Sequence, residues 1–205
     1  MSIFTKVNNL FRVHGFWKTA LYSLGIVSEK LCSGVSVVFV YKDGGENVKP
    51  PLGHSFEIIR SLGQLGEEDK NSLLGYKGKN IFRQFEGLFS KGHFCAVCRV
   101  KGSLGSMCWA KPIKKHFLLK NQAGFLIRQC FTLPGMRGKG LYPATLNFLA
   151  GRLKAENTQD ISIIIESAAS NYSSIRGIQK AGFAKAGIEV FILGVRMYLP
   201  RLNHH

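Results

Sequence analysis

Between residues 125 and 200 short β-rich runs alternate with helical ones, and this alternation restricts the fold more than any other feature of the chain. FLIRQCFTL (125–133) is aliphatic and aromatic and breaks at Pro134-Gly135, as a strand does. YPATLNFLAGRLKAE sets Leu146, Leu149 and Leu153 on one helical side. DISIIIES reads as a buried strand and SSIRGIQKAGF as a helix closing at Gly182. GIEVFILGVRMYLP reads as the strand that finishes the sheet. The order β-loop-α-β-loop-α-β, with no repeat and no internal linker, describes layers of helix on a single sheet.

The earlier part of the chain supplies more of the same layers. VSVVFVYK (35–42) is a β-branched run and HSFEIIRSL a second strand, separated by a turn-rich stretch (42–53) that contains Pro50 and Pro51. Glu67, Glu68 and Asp69 favour a helix start, because carboxylates complement the positive end of a helix. NIFRQFEGLF is a further helix that stops at Lys91-Gly92. HFCAVCRV and SMCWAKPI flank KGSLG as the arms of a hairpin. Residues 3–33 read as an amphipathic, basic helix, with Phe4, Val7, Leu10 and Phe11 on the apolar stripe. Such a segment can cover the domain's own core or lie on an anionic membrane.

Composition removes several classes. With 45% hydrophobic and 20% charged residues, disorder, collagen and coiled coil are excluded. A chain of 205 residues is one generous domain, able to bury roughly two-thirds of its unfolded surface without a metal or disulfide. The 28 Lys and Arg outnumber the 12 Asp and Glu, for a net charge of +16. That surplus suits an anionic partner: nucleic acid, a membrane surface or a phosphorylated small molecule. The five cysteines, at 32, 95, 98, 108 and 130, sit mostly in apolar runs. Strand alternation would point Cys95 and Cys98 to opposite faces, against a disulfide or shared metal. No apolar run reaches the ~18 residues of a spanning helix, and Lys6, Arg12 and Lys18 interrupt any secretory signal. A reduced, cytoplasmic protein without metal is the expectation, peripheral to a membrane if the first helix lies on one.

Two loops carry chemistry. LPGMRGKGLYPATL (133–146) leaves a strand and enters a helix, with glycine at 135, 138 and 140. Glycines let backbone amides converge at a helix N-terminus, where they can cradle a phosphate. Arg137 and Lys139 add charge there. The order of residues fits neither a P-loop nor a dinucleotide fingerprint. ESAASNYSSIRGIQKAGF (166–183) also joins a strand to a helix, and Asn171, Ser173 and Ser174 can cap that helix while presenting polar atoms outward.

RGKGLY followed by N-x-x-S-x-x-x-x-x-K-A-G-F resembles the GNAT superfamily of N-acetyltransferases over residues 93–199. The resemblance implies a mixed α/β fold, mostly antiparallel, flanked by helices and splayed at the coenzyme strand. It implies one domain over 1–205, with a basic helical segment (1–34), an acceptor-side part (35–92) and a coenzyme-binding core (93–199). It assigns the coenzyme A pyrophosphate of acetyl-CoA to Arg137, Gly138, Lys139, Gly140, Leu141 and Tyr142; Tyr142 stands where Gly or Ala is usual. Cys130, Phe131 and Thr132 would hold the pantetheine arm, and Asn171 and Ser174 would lie near it and the sulfur. The family's common proton donor, a tyrosine, falls at Ile178. The T-L-P-x-x-R-G-x-G-L-Y string is also similar to members associated with bacterial surface-polysaccharide synthesis, which implies an amino-sugar acceptor, free or nucleotide-linked.

Acetyl transfer to an amine needs a place for protons to go. Glu166, at the end of DISIIIES, is the candidate base, with Tyr172 and Ser174 as further catalytic candidates and Tyr142 as another possible proton donor. Gln129 can orient a water, Cys130 can act as nucleophile only with a stabilised thiolate, and His93 and His116 sit at strand ends on the acceptor side. Three rival readings stand beside this one. A long-chain acyltransferase would take its acyl group from an acidic acyl carrier protein. A basic nucleic-acid-binding module is disfavoured, because the cations are scattered without a readable motif. The third is a coenzyme-binding protein without turnover.

Overall fold

The structure, a computed structural model, describes residues 32–42, 53–114, 116, 118–119, 123–157, 161–192 and 195–200. The expected basic helix lies outside the described residues as far as residue 31, and Cys32 already opens a strand. Most of the 42–53 stretch lies outside them too.

The described strands are β1 (Cys32–Tyr41), β2 (His54–Ile59), β3 (Phe94–Val100), β4 (Ser103–Ile113), β5 (Gly124–Thr132), β6 (Ser162–Ala168), β7 (Phe183–Ile192) and β8 (Val195–Pro200). They form one sheet in the order β2-β3-β4-β5-β6-β1-β7-β8. Only β5 and β6 run parallel; every other pair is antiparallel. The helices are α1 (Glu67–Lys77), α2 (Asn80–Phe89), α3 (Leu141–Glu156) and α4 (Tyr172–Lys180). The architecture is the expected mixed, mostly antiparallel sheet flanked by helices.

Two arrangements depart from a local reading. GIEVFILGVRMYLP does not run as one strand: it belongs to β7 and β8, with Ile192 pairing Val195. Only Leu193 and Gly194 separate the two, and a glycine in a two-residue connection is a hairpin signal that a continuous apolar run hides. β1, from the N-terminal stretch, lies between β6 and β7, pairing Val38 with Glu166 on one side and with Gly187 on the other.

Both sheet faces are covered. Alternation sends Ala96, Cys108, Ile127, Ile163 and Ile165 toward α3 and α4, where they meet Leu146, Leu149, Leu153 and Ile178. The opposite face carries Cys95, Val97, Met107 and Trp109 against α1 and α2. Trp109 is wedged between Phe85 and Phe89, each ring 4.8 Å away. Burying Phe85 alone contributes roughly 1.5–3 kcal/mol. Farther along that face, Leu118 and Leu119 close over Val38, Leu126 and Ile164. Cys95 and Cys98 do lie on opposite faces: Cys95 packs with Trp109, and Cys98 bonds toward Thr145 of α3.

The sheet is split at one place. β5 and β6 pair from Gly124–Ser162 to Ile127–Ile165 and then part. Beyond Ile127, β5 keeps only β4 beside it, as far as Thr132. Gln129 sits at the divergence with φ +52, next to a register shift between Met107 and Trp109. A bulge of this kind bends its strand out of the sheet.

Candidate active site

The parting of β5 from β6 opens a cleft of about 740 Å³. One wall is the released end of β5, with Cys130, Phe131 and Thr132. The floor is the turn from β5 into α3. After one tight turn at Pro134–Met136, Gly138 (φ +76) and Gly140 (φ +72) adopt the left-handed region, and α3 begins at Leu141. A Cβ at either glycine would meet no atom within 4 Å. The backbone angle therefore selects glycine here, and the space above the amides is open. Such amides at a helix start form an anion site.

Arg137, Gly138, Gly140, Leu141, Tyr142, Asn171 and Ser174 all line the cleft together with the β5 wall. Lys139 belongs to the same loop but does not line it; its Nζ lies 3.7 Å from the Met136 sulfur. Arg137 is pinned rather than free. Its Nη2 donates to the Tyr76 hydroxyl at 2.9 Å and its Nε to the Thr132 carbonyl at 3.4 Å. Asn171 Oδ1 caps α4 by accepting from the Ser174 amide (3.1 Å) and the Ser173 hydroxyl (3.0 Å). Of the three, Asn171 performs the capping role, and all three face the cleft.

Tyr142 crosses the cleft from the α3 side, its hydroxyl 3.1 Å from Ser174 Oγ. Burial, reinforced by the neighbouring Cys130 and Cys108 thiols, pushes its pKa far above the usual phenol value. The hydroxyl therefore stays protonated throughout the neutral range and donates a hydrogen bond rather than acting as a free acid. Ile178 is fully buried in the core beneath α3.

Two candidates lie elsewhere. Tyr172 is 72% exposed and outside the cleft lining. Glu166 is also outside the lining. It is the first β6 residue beyond the last pair with β5, on the face of Ile164, opposite α3 and α4. Its Oε1 lies 3.3 Å from Nε2 of His116, whose side chain is 5% exposed.

Sequence reasoning missed part of the lining. Tyr76 and Lys77 come from the end of α1, with the Lys77 ammonium 4.6 Å from the Tyr76 ring centre and 5.2 Å from that of Phe131. Arg176, Gly177 and Lys180 come from α4. Nothing local marks Tyr76, but a glycine inside a helical run, as at Gly177, calls for a packing reason. The lining holds four cations, Lys77, Arg137, Arg176 and Lys180, and neither Asp nor Glu. Among the described residues no three His, Cys, Asp or Glu gather as a metal site, and no helix is long and apolar enough to cross a membrane.

No family model matches the chain, and no curated protein matches it in sequence. Among solved structures, a GNAT-family acetyltransferase from Colwellia psychrerythraea superposes with a TM-score of 0.57 at 14% identity, over 82% of this chain and 56% of that one. The chain has the GNAT fold. It spans little more than half the length of that protein. An aminoglycoside 6′-N-acetyltransferase from Acinetobacter baumannii is similar at a TM-score of 0.49 and 13% identity, over 65% and 92% of the two chains. A glucosamine-6-phosphate N-acetyltransferase from Arabidopsis thaliana is similar at 0.44 and 22%, over 64% and 92%. Within the GNAT fold, the splay and the glycine turn occupy one cleft.

Proposed function

We propose that the protein is an acyl-CoA-dependent N-acyltransferase, passing an acetyl group from acetyl-CoA to a primary amine of a small molecule such as an amino sugar, free or nucleotide-linked. The observation that carries this reading is the cleft itself: open amides at the start of α3, an unpaired strand edge and a protonated phenol face one space.

Acetyl-CoA would supply the activated thioester. The amides of residues 137–142 would hold its pyrophosphate, and Arg137, Arg176 and Lys180 would offset its charge. The edge of β5 beyond Ile127 has no β6 partner, so its backbone can pair with the amides of a pantetheine arm as a strand would. Tyr142 would donate to the departing sulfur while Ser174 orients its hydroxyl. On the opposite face Glu166, held by His116, would take the proton of the amine. Positioning supplies much of the rate, and a proton acceptor or donor a further ~10²–10⁴-fold.

Thermal unfolding with and without acetyl-CoA tests the reading. At a hundredfold excess over its dissociation constant, the ligand stabilises the native state by about 2.7 kcal/mol, a shift of several degrees. Gly140→Asp puts a carboxylate where the pyrophosphate would sit and, though the left-handed backbone costs the variant some stability, should abolish the shift. No shift in the wild type would overturn the reading.

A further inference from the structure

The face of the sheet opposite α3 and α4 carries a group of charges that the coenzyme cleft does not use. Trp109 on β4 pairs with Arg128 on β5, and Lys111 pairs with Leu126. Paired residues share a face, so Arg128 and Lys111 stand on the Trp109 side. β3 and β4 pair Phe94 with Ala110, and His93, the residue before Phe94, lies within reach of the Lys111 charge. Lys91 stands in the turn between α2 and β3. Lys91, Lys111 and Arg128 all act electrostatically on His93.

None of these three cations pairs with a carboxylate among the described residues. Gathering uncompensated like charges is unfavourable unless an anion joins them. A second observation points the same way. His93 Nδ1, beside these cations, is buried without a hydrogen-bond partner among the described residues. Buried polar atoms are ordinarily paired, and an unpaired one beside three cations marks a place for a missing group.

The position matters for chemistry. Ile127–Ile165 is the last pair before β5 and β6 part, so Arg128 and Glu166 are the next residues on the two lips, both on this face. Arg128 stands on the β5 lip with Lys111 of β4 just behind it, opposite Leu126, and the Glu166–His116 pair occupies the β6 lip. A molecule spanning the lips would meet positive charge at one end and a proton acceptor at the other.

We propose that Lys91, His93, Lys111 and Arg128 form an anion subsite for the acceptor, and that the acceptor is an amine bearing a phosphate or diphosphate group. The proposal rests on the acyltransferase reading and names the substrate class of its second site. Polycationic amines are disfavoured here by charge alone.

The test titrates inorganic pyrophosphate into protein already saturated with coenzyme A, comparing the wild type with Lys111→Gln/Arg128→Gln. Both positions are at least partly open to solvent, so the variant keeps its fold. The expected result is saturable binding weakened at least about tenfold in the variant, with coenzyme A affinity unchanged. Absence of pyrophosphate binding to the wild type, or equal binding by both, overturns the subsite. A second arm follows acetyl transfer to glucosamine and to glucosamine 6-phosphate. The wild type should prefer the phosphorylated sugar by at least about tenfold in kcat/KM through KM, and the variant should lose that preference; equal use of the two by the wild type also overturns the subsite. Failure of coenzyme A itself to bind overturns the acyltransferase reading, and the subsite with it, and is seen before any pyrophosphate is added.

Discussion

A Cβ atom on Gly177 would lie 2.5 Å from Cδ1 and 2.7 Å from Cε1 of Tyr142. The tyrosine is the second residue of α3, and the facing helix gives up its side chain to admit the ring. The bulky residue and the mid-helix glycine are thus one feature. Gly177→Ala gains up to about 1 kcal/mol of helix propensity and incurs about 1–3 kcal/mol of overpacking. The wild type should lose about 1 kcal/mol, whereas in a Tyr142→Ala background the same change should stabilise. Urea denaturation of the four proteins reads the coupling; additivity would mean the ring does not hold this position.

Tyr142→Phe keeps the ring and removes the donor. Under the proposed chemistry kcat should fall about 10²–10⁴-fold, with the KM for acetyl-CoA within a few-fold of the wild type. The lost bond to Ser174 should lower stability by only about 1 kcal/mol. Tyr172→Phe, at an exposed site, is the control and should change neither constant. Steady-state kinetics on both variants decide between the two tyrosines.

Arg99 joins three elements: it donates to Glu57 of β2 at 2.5 Å and to Asp69 of α1 at 2.7 Å. Asp69 is buried, so removing the guanidinium strands its carboxylate. Arg99→Met should destabilise by about 3 kcal/mol or more, and adding Asp69→Leu should restore most of the loss. Because α1 also delivers Tyr76 to the cleft, the single variant should weaken acetyl-CoA binding as well. Chemical denaturation and a binding titration check the two effects.

His93 supplies a dependence on pH. Burial, then Lys111, Arg128 and Lys91, hold its pKa below the ordinary 6.5. On acidification the unfolded chain therefore takes up this proton first, so stability falls as pH drops from about 6.5 through the lower native value. Between pH 7 and pH 5 the melting temperature should decline more steeply in the wild type than in His93→Gln. Equal slopes would show that neither burial nor the surrounding cations hold this ring's pKa down.

Much of this was legible because it is local. NIFRQFEGLF forms α2 over the expected residues, since its apolar spacing and flanking glycine act within a few turns. The glycine turn at 138–140 marked the loop that forms the floor of the cleft for the same reason. What escaped depends on contacts between distant residues. Nothing near Tyr76 indicates that α1 will end against Arg137, and nothing near Glu166 indicates that His116 will meet it. The two tyrosines show the limit most directly. Tyr172 lies beside the cap residue Asn171 in sequence but is exposed, whereas Tyr142, thirty-two residues before Ser174, reaches the Ser174 hydroxyl.

The place of β1 bears on how the protein is made. Residues 32–41 leave the ribosome early, yet their neighbours are residues 164–168 and 183–192. During synthesis the valine-rich strand waits unpaired until β6 and then β7 are made. Its docking then closes the gap between β6 and β7 and joins the sheet into one piece. Pairings so distant in sequence fold slowly and expose strand edges meanwhile. A strand whose two neighbours are made so much later owes its place in the sheet to long-range closure, and that closure, more than any local element, sets the pace at which the sheet is joined.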